Sequence, residues 1–198
     1  MHEICHPSAR SHVTLDTLNI DDGAEQSVLD AVRRAVDSTE QDGEIAIGIR
    51  GTEIAVDRRS VYAEVAEGRE RLDRLREGIR KELTKGNLVN GGFARKPFNP
   101  HVTLLKSRHL RETMAIDPSS YSDVADLDFG VQRCSSIQLL SMTGGRPRHG
   151  EYYTKLGQIN LGKEDEALMV EDEESEENHK ECCAPLKPEP NVFIALQV

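Results

Sequence analysis

Two copies of the tetrapeptide His-Val-Thr-Leu carry the residues of this chain that are best suited to acid–base chemistry. One copy begins at His12 and the other at His101. Side chains alternate between the two faces of a β-strand, so each histidine shares a face with the threonine two residues later, Thr14 or Thr103. Histidine gains and loses a proton near neutral pH, and a threonine hydroxyl donates a hydrogen bond. The pattern therefore predicts two half-sites that supply one general base, one general acid and two donors to a phosphate, with no metal ion.

Each copy of the motif, taken alone, has an explanation that involves no catalysis. A single His-x-Thr pair is usually an ordinary half-exposed part of a strand. The duplication, with a helix-rich segment between the copies, argues against that explanation. In the second copy Val102 and Leu104 lie on the face opposite the histidine and anchor the strand in a core, and Pro100 suits the first position of a strand.

Paired His-x-Thr strands resemble those of the 2H phosphoesterases, the superfamily of RNA-ligase-like and cyclic-nucleotide phosphodiesterases. Segments 96–106, 138–142 and 150–153 look most similar to the phosphoesterase domain of the A-kinase anchor proteins, and the resemblance covers about residues 11–162. It implies an α+β fold of two lobes, with two mainly antiparallel sheets that each carry one His-x-Thr strand. Helices would cover the outer faces, and the site would lie in the central cleft.

The resemblance also implies an activity. The expected enzyme is a metal-independent phosphodiesterase without a cofactor, acting on 2′,5′-linked oligoadenylates or on 2′,3′-cyclic nucleotide and RNA ends. One histidine would deprotonate the attacking hydroxyl or water, the other would protonate the leaving oxygen, and Thr14 and Thr103 would hold the non-bridging oxygens. The alternative is a non-catalytic module that binds AMP-like nucleotides or serves as a scaffold. Turnover of a 2′,5′-linked dinucleotide in the presence of a chelator separates the two.

Five further residues are candidates for binding the substrate. Arg146 and Arg148 lie in a Gly-rich loop, where their guanidinium groups would reach a substrate phosphate; the alternative is a solvated hairpin loop. Alternation lets only one of Tyr152 and Tyr153 face the cleft and stack on a base, and a tyrosine packed into the core is the alternative. Lys106 ends the second motif strand.

Charge is distributed unevenly along the chain. The formal net charge is −10, and residues 163–198 contain eleven acidic residues against three lysines. The body is therefore nearly neutral, and the overall acidity says little about its ligand. These changes in composition predict a phosphoesterase-like domain over 1–162, an acidic disordered linker over 163–190 and an apolar strand-like segment over 191–198.

The cysteines, the hydrophobic runs and the C-terminal residues predict the cellular compartment and the partners. The four cysteines show no metal-binding spacing, and the adjacent pair Cys182 and Cys183 suggests a reducing compartment. No signal peptide or membrane-spanning run is visible, so we expect a soluble cytoplasmic or nuclear protein. The linker shows no amphipathic helix of the kind by which anchor proteins bind the kinase regulatory subunit, so that partner is not expected. The terminal Leu196-Gln-Val198 matches a PDZ-ligand pattern that is common by chance.

Hydrophobic periodicity predicts the elements that position the motifs. We expect a helix over 23–38 capped by Asp21 or Asp22, strands at 44–50, 52–56 and 60–66, and a helix over 67–85 that Gly86 stops. Further strands are expected within 129–142 and 152–161.

The two ends of the chain raise a separate question. Domains of the resembled family open with an apolar strand and a helix before the first His-x-Thr strand, and eleven residues cannot supply both. Residues 191–198 alternate like that opening strand. Either the chain is a fragment of tandem domains, or it behaves as a circular permutant whose last residues return to the vacant position. We therefore hypothesise that residues 191–198 pair with the sheet that carries His12.

Overall fold

The strands that begin at His12 and His101 lie side by side in the middle of one antiparallel sheet. The computed structural model describes residues 11–39, 43–54, 60–93, 97–106, 116–117, 119, 121–143, 153–161 and 191–198. In these ranges the strands are β1 (His12–Leu18), β2 (Ile45–Ile54), β3 (Ser60–Glu67), β4 (His101–Lys106), β5 (Asp128–Cys134), β6 (Ser136–Ser141), β7 (Thr154–Asn160) and β8 (Val192–Gln197). The helices are α1 (Glu25–Ser38) and α2 (Arg69–Lys85), with a 3₁₀-helix at Ser122–Val124.

All of these strands belong to a single sheet with the order β5-β2-β3-β4-β1-β8-β6-β7, and each neighbouring pair is antiparallel. The prediction of mixed helices and antiparallel strands is confirmed. The prediction of two sheets is wrong for the described strands, because β1 pairs directly with β4 and sets Val13 opposite Val102. Each His-x-Thr strand nevertheless stands at the inner end of a run of four strands.

Both helices pack on the same side of the sheet, here called the helix face. Their apolar residues recur at helical spacing and are buried, namely Val28, Ala31, Val32, Ala35 and Val36 of α1 and Leu72, Leu75, Ile79 and Leu83 of α2. These residues form one core cluster with Val13 and Val102 of the central strands. The opposite side of the sheet carries both motif histidines and is called the histidine face.

Both helices lie close to their predicted positions, but the predicted N-cap of α1 is not observed. Helix α2 buries the four predicted residues and ends at Gly86 as expected. Helix α1 begins two residues later than predicted, and its N-cap, Ala24, makes no side-chain hydrogen bond to the helix. The carboxylate of Asp21 is used elsewhere, because it accepts a hydrogen bond from the side-chain amide of Asn90 at 2.7 Å.

Gly51 does not end a strand, contrary to the prediction of separate strands at 44–50 and 52–56. It lies within β2 at a β-bulge, where the register with β3 shifts between Arg50 and Thr52. Its φ of 64° is in the left-handed region that glycine adopts without strain. Its N–H donates to the carbonyl oxygen of Leu127 at 2.9 Å, so the chain continues instead of turning back.

Residues Val192–Gln197 form strand β8, which lies between β1 and β6 and pairs with both. The hypothesis that this segment joins the sheet that carries His12 is therefore confirmed. Asn191 fixes the start of the strand, since its side chain accepts from the Ile20 N–H at 3.0 Å and donates to the Ile20 carbonyl at 2.8 Å. Ile194 and Leu196 are buried in the core, and burial of such a side chain contributes about 1.5–3 kcal/mol.

Some predictions fall on parts of the chain that the structure does not describe. The acidic segment 163–190 lies outside the described residues, and the domain boundaries stay predictions. Among the described helices, none is both long and apolar enough to cross a membrane. Of the three residues in the PDZ-ligand prediction, Leu196 pairs with Val13 and with Ile137, and Gln197 pairs with His12.

Candidate functional site

The four residues of the duplicated motif lie together on the histidine face, on adjacent strands. Because Val13 is opposite Val102, antiparallel pairing sets His12 beside Thr103 and Thr14 beside His101. The two histidines are diagonal neighbours across the pair, which corresponds to about 7–8 Å. Each motif histidine thus has the threonine of the other motif directly across the strand pair.

A β-bulge in β1 keeps a carboxylate away from this group. The register with β8 shifts between Thr14 and Asp16, and Leu15 and Asp16 are consecutive buried residues. Both therefore turn to the helix face. With strict alternation, the side chain of Asp16 would lie on the histidine face, two residues from Thr14. The bulge thus keeps the negative charge of Asp16 off the histidine face.

The ring of His101 is oriented by the backbone that precedes its strand. Its Nδ1 lies 2.8 Å from the carbonyl oxygen of Asn99. A carbonyl oxygen only accepts, so Nδ1 carries the proton in this hydrogen bond and Nε2 holds the lone pair of the neutral ring. Nε2 is then the ring nitrogen of His101 that can exchange a proton with another group. Tyr62 of β3 flanks the ring, with the ring centroids 4.7 Å apart.

The ring of His12 lies against aromatic side chains instead. Its centroid is 5.4 Å from that of Phe193 in β8 and 6.1 Å from that of Tyr153. Phe193 and Tyr153 contact each other edge to face at 4.6 Å, and they pack with Leu140 and Ala195 in a small apolar cluster on the histidine face. The two histidines therefore lie on the same face of the sheet but have different neighbours. His101 contacts a backbone carbonyl, and His12 packs against apolar side chains.

Acidic side chains lie on the β3 side of His101. Glu64 is its cross-strand partner, and the hydroxyl of Tyr62 donates to a carboxylate oxygen of Glu53 at 2.9 Å. Burial raises the pKa of Tyr62 above its ordinary value, and the hydrogen bond to Glu53 and the charges of Glu53 and Glu64 raise it further, against a hydrogen bond with Asn99. The phenol therefore stays a neutral donor across the range in which histidine titrates.

The structure places some of the predicted substrate-binding residues and not others. Tyr153 lies on the histidine face beside His12, and its half-buried ring also packs in the apolar cluster. Lys106 ends β4. The predictions for Arg146, Arg148 and Tyr152 fall outside the described residues.

Three residues of the site were not singled out from the sequence. The alternation of β3, whose Val61 and Ala63 are buried, would have placed Tyr62 on the histidine face. The same pattern in 191–198 set Phe193 opposite the core residues without indicating which strand it would join. Asn99 acts through its backbone carbonyl, and no pattern of side chains reveals such a contact.

The residues that the structure describes include no group of three or more His, Cys, Asp or Glu side chains that could hold a metal ion. The one cysteine in these ranges, Cys134, is buried in the core. Burial raises its pKa to about 11, with a further contribution from the charge of Glu44. Its thiol is therefore protonated at neutral pH and takes no part in the histidine face.

The fold is shared with solved structures of LigT-like 2H phosphoesterases. Escherichia coli LigT complexed with NADP⁺ is 18% identical with a TM-score of 0.51, and the match covers 82% of this chain and 86% of that chain. LigT complexed with 3′-AMP is 18% identical with a TM-score of 0.50, covering 80% and 84%. TT0787 of Thermus thermophilus is 24% identical with a TM-score of 0.51, covering 78% and 80%. At these identities the similarity establishes the fold.

A family model described as the AKAP7 2′5′ RNA ligase-like domain matches residues 2–161, which is well over half of the chain. The chain belongs to this family. The resemblance to 2H phosphoesterases that the two His-x-Thr strands indicated is thus confirmed. The comparison with curated proteins finds no match.

Proposed function

We propose that the chain is a phosphodiesterase that cleaves 2′,5′-linked oligoadenylates or opens 2′,3′-cyclic nucleotide and RNA ends by two-histidine acid–base catalysis. The observation that carries the proposal is the pairing of Val13 with Val102, which sets both His-x-Thr motifs on one face of adjacent strands. Family membership supports the same class of reaction. Two imidazoles supply both proton transfers, so this mechanism requires no metal ion.

The proposed reaction with a cyclic phosphate is a single displacement at phosphorus. A water oxygen forms a bond to phosphorus while the bond from phosphorus to one ribose oxygen breaks. The neutral imidazole accepts a proton from the water, and the protonated imidazole gives its proton to the leaving ribose oxygen. His101 would act through Nε2 in either role, because its Nδ1 is held by the Asn99 carbonyl. Thr14 and Thr103 would donate to the non-bridging oxygens as charge develops on them.

The surroundings of the histidines support a nucleotide as the substrate. Aromatic rings flank both of them, Tyr62 beside His101 and the pair Phe193 and Tyr153 beside His12. The half-buried rings of Tyr62 and Tyr153 offer surfaces on which bases stack, whereas Phe193 is buried and supports His12 and Tyr153. The LigT structures of the same fold contain NADP⁺ and 3′-AMP, which are both nucleotides. In this proposal Lys106, Arg146, Arg148 and Tyr152 add contacts to the phosphate and to the base.

Hydrolysis of a 2′,5′-linked adenylate dinucleotide and of adenosine 2′,3′-cyclic phosphate in excess EDTA tests the proposal. We expect turnover that the chelator does not reduce, with a bell-shaped dependence on pH, because one imidazole must be neutral and the other charged. His12→Ala and His101→Ala should each lower kcat by about 10²–10⁴-fold. Turnover by either variant at the wild-type rate would contradict the two-histidine mechanism. Binding of both compounds without turnover by the wild-type protein would favour the non-catalytic nucleotide-binding module.

A further inference from the structure

A buried ionic cluster lies on the helix face directly behind the catalytic part of β1. The side chain of Asp16 is 3% exposed, and Arg80 of α2 holds both of its carboxylate oxygens. Arg76, one helical turn earlier, lies 3.3 Å from the same carboxylate and donates to the carbonyl oxygen of Leu15 at 2.9 Å. The N–H of Thr17 donates to the carboxylate as well. These contacts are made by the bulged residues themselves, so they fix the bulge that sorts the side chains of β1.

The same two arginines also hold the segment that leads into β4. The guanidinium group of Arg76 lies over the ring of Phe98, and that of Arg80 lies over the ring of Phe93, each at 4.7 Å. Arg69, at the start of α2, donates to the carbonyl oxygen of Phe98 at 2.8 Å. Phe98 is thus held through its ring and through its backbone by one helix.

Phe98 immediately precedes the residue that orients His101. The Asn99 carbonyl accepts the hydrogen bond from Nδ1 of that ring, so a shift of Phe98 moves the acceptor. β1 and β4 form a short ladder in which Val13 pairs with Val102, whereas β1 and β8 form a long ladder from His12 to Leu18. The spacing of the two histidines consequently depends on contacts beyond the strand ladder.

We propose that Arg76 is a positioning residue that sets the distance and orientation between the two His-x-Thr strands by joining the β1 bulge to the segment before His101. The proposal rests on the proposed function, since it assigns Arg76 a role in that reaction without contact with the substrate. Arg80 and Asp16 complete the cluster that holds Arg76 in place.

The chemistry of the guanidinium group suits this role. Its Nε–H donates to the carbonyl oxygen of Leu15, its charge lies beside the Asp16 carboxylate, and its planar face lies on the ring of Phe98. An ammonium group is a point charge without that plane, so lysine keeps the charge beside Asp16 but not both contacts. Burial lowers the pKa of Arg76 and the charge of Arg80 lowers it further, against Asp16, yet a guanidinium group stays protonated at neutral pH. The link therefore persists at neutral pH.

Four variants test the proposal without leaving the buried Asp16 uncompensated: Arg76→Lys, Phe98→Leu, the double variant, and Arg74→Lys as the matched control at an exposed position of α2. We expect kcat for adenosine 2′,3′-cyclic phosphate to fall about 10- to 100-fold in Arg76→Lys and in Phe98→Leu, because a misplacement of about 1 Å costs about that much. KM should change less than about threefold. The double variant should be no slower than the worse single variant, since both changes break the same link. Arg74→Lys should match the wild type.

The imidazole resonances provide a second readout that does not depend on turnover. In histidine-labelled protein the Nδ1–H of His101 should give a protected signal in the wild type and in Arg74→Lys, and it should be weakened in Arg76→Lys and Phe98→Leu. Wild-type protein without turnover would contradict the proposed function alone, and these signals would still decide the positioning role. Unchanged His101 signals in the two test variants, or additive losses of kcat in the double variant, would overturn the inference.

Discussion

A histidine with one ring nitrogen committed to a backbone carbonyl exchanges protons through the other nitrogen. In His101 the Asn99 carbonyl accepts from Nδ1, so in the proposed reaction the proton exchange with a substrate takes place at Nε2. In His12 the neighbours are the rings of Phe193 and Tyr153, which restrict the imidazole by packing. The two histidines therefore enter the proposed reaction with different constraints, and their alanine variants need not lower kcat by the same factor.

The threonine hydroxyls can be tested separately from the strands that carry them. Replacing Thr14 or Thr103 by Val keeps the β-branched shape and removes the donor. We expect kcat to fall about 10²–10³-fold for each, because one donor to the developing charge is lost. Thr17→Val is the matched control, since Thr17 lies further along β1 opposite Phe193. Its kcat should stay near the wild-type value, and equal losses in the three variants would contradict a specific role for Thr14 and Thr103.

The phenol of Tyr62 should titrate later than an ordinary tyrosine. A raised pKa in the folded state means that the hydroxyl stabilises the fold fully below its unfolded pKa of about 10, and that this contribution is lost as the pH rises through the folded pKa. Glu53→Gln should lower the pKa of Tyr62, but not to its ordinary value, because burial and Glu64 still act. Ultraviolet titration of each protein, compared with its Tyr62→Phe counterpart, isolates this phenol. An unchanged pKa in Glu53→Gln would contradict the assigned cause.

At the scale of the elements, β8 has two faces with separate tasks. Ile194 is buried in the main core, whereas Phe193 lies on the histidine face against His12. Ile194→Ala should lower the free energy of unfolding by about 2–5 kcal/mol and leave kcat per folded molecule unchanged. Phe193→Leu keeps an apolar side chain but removes the ring that contacts His12, so it should destabilise the fold less than Ile194→Ala while altering KM or kcat.

Deletion of residues 191–198 is the harsher test of the same strand. It would leave the edges of β1 and β6 unpaired in the middle of the sheet, and we expect lower thermal stability and aggregation. Chemical denaturation and light scattering measure these effects. A truncated chain that melts at the wild-type temperature and stays monomeric would show that β8 contributes nothing to the fold.

At the scale of the whole molecule, the sequence predicted the parts that depend on local pattern. The period of α2, the alternation of β3 and the duplicated motif each follow from residues close together in the chain. Whether β1 and β4 lie in one sheet or in two depends on contacts between residues far apart, here Val13 and Val102. The bulges at Leu15 and Gly51 were missed for a related reason, because they are defined by a partner strand and not by the strand itself.

The same limit applies to the candidate site. His12, Thr14, His101 and Thr103 were singled out because their spacing is local and repeated, and the structure sets them on one face of adjacent strands. Their catalytic role stays a prediction. The salt bridges of Arg76 and Arg80 with Asp16 were not predicted, because α2 is distant in sequence from β1 and its arginines resemble any charged helix surface. The burial of the Asp16 carboxylate was not predicted either, because strict alternation places this side chain on the histidine face.

Unfolding experiments can decide whether the sheet is stabilised by one hydrophobic core or by two. The sheet consists of two runs of four strands, yet the main buried cluster extends from Ile47 in β2 to Leu139 in β6 and includes both helices. Ile47→Ala and Leu139→Ala should therefore each shift the same single transition by about 2–5 kcal/mol. Val131→Ala is the exposed control, at 63% exposure, and should stay within about 0.5 kcal/mol of the wild type. Circular dichroism and tyrosine fluorescence should follow one curve, since a shared core couples the backbone of both runs to the tyrosines. Two transitions, each shifted by only one of the core variants, would mean that the two runs unfold independently and that the His12 and His101 strands are held together only weakly.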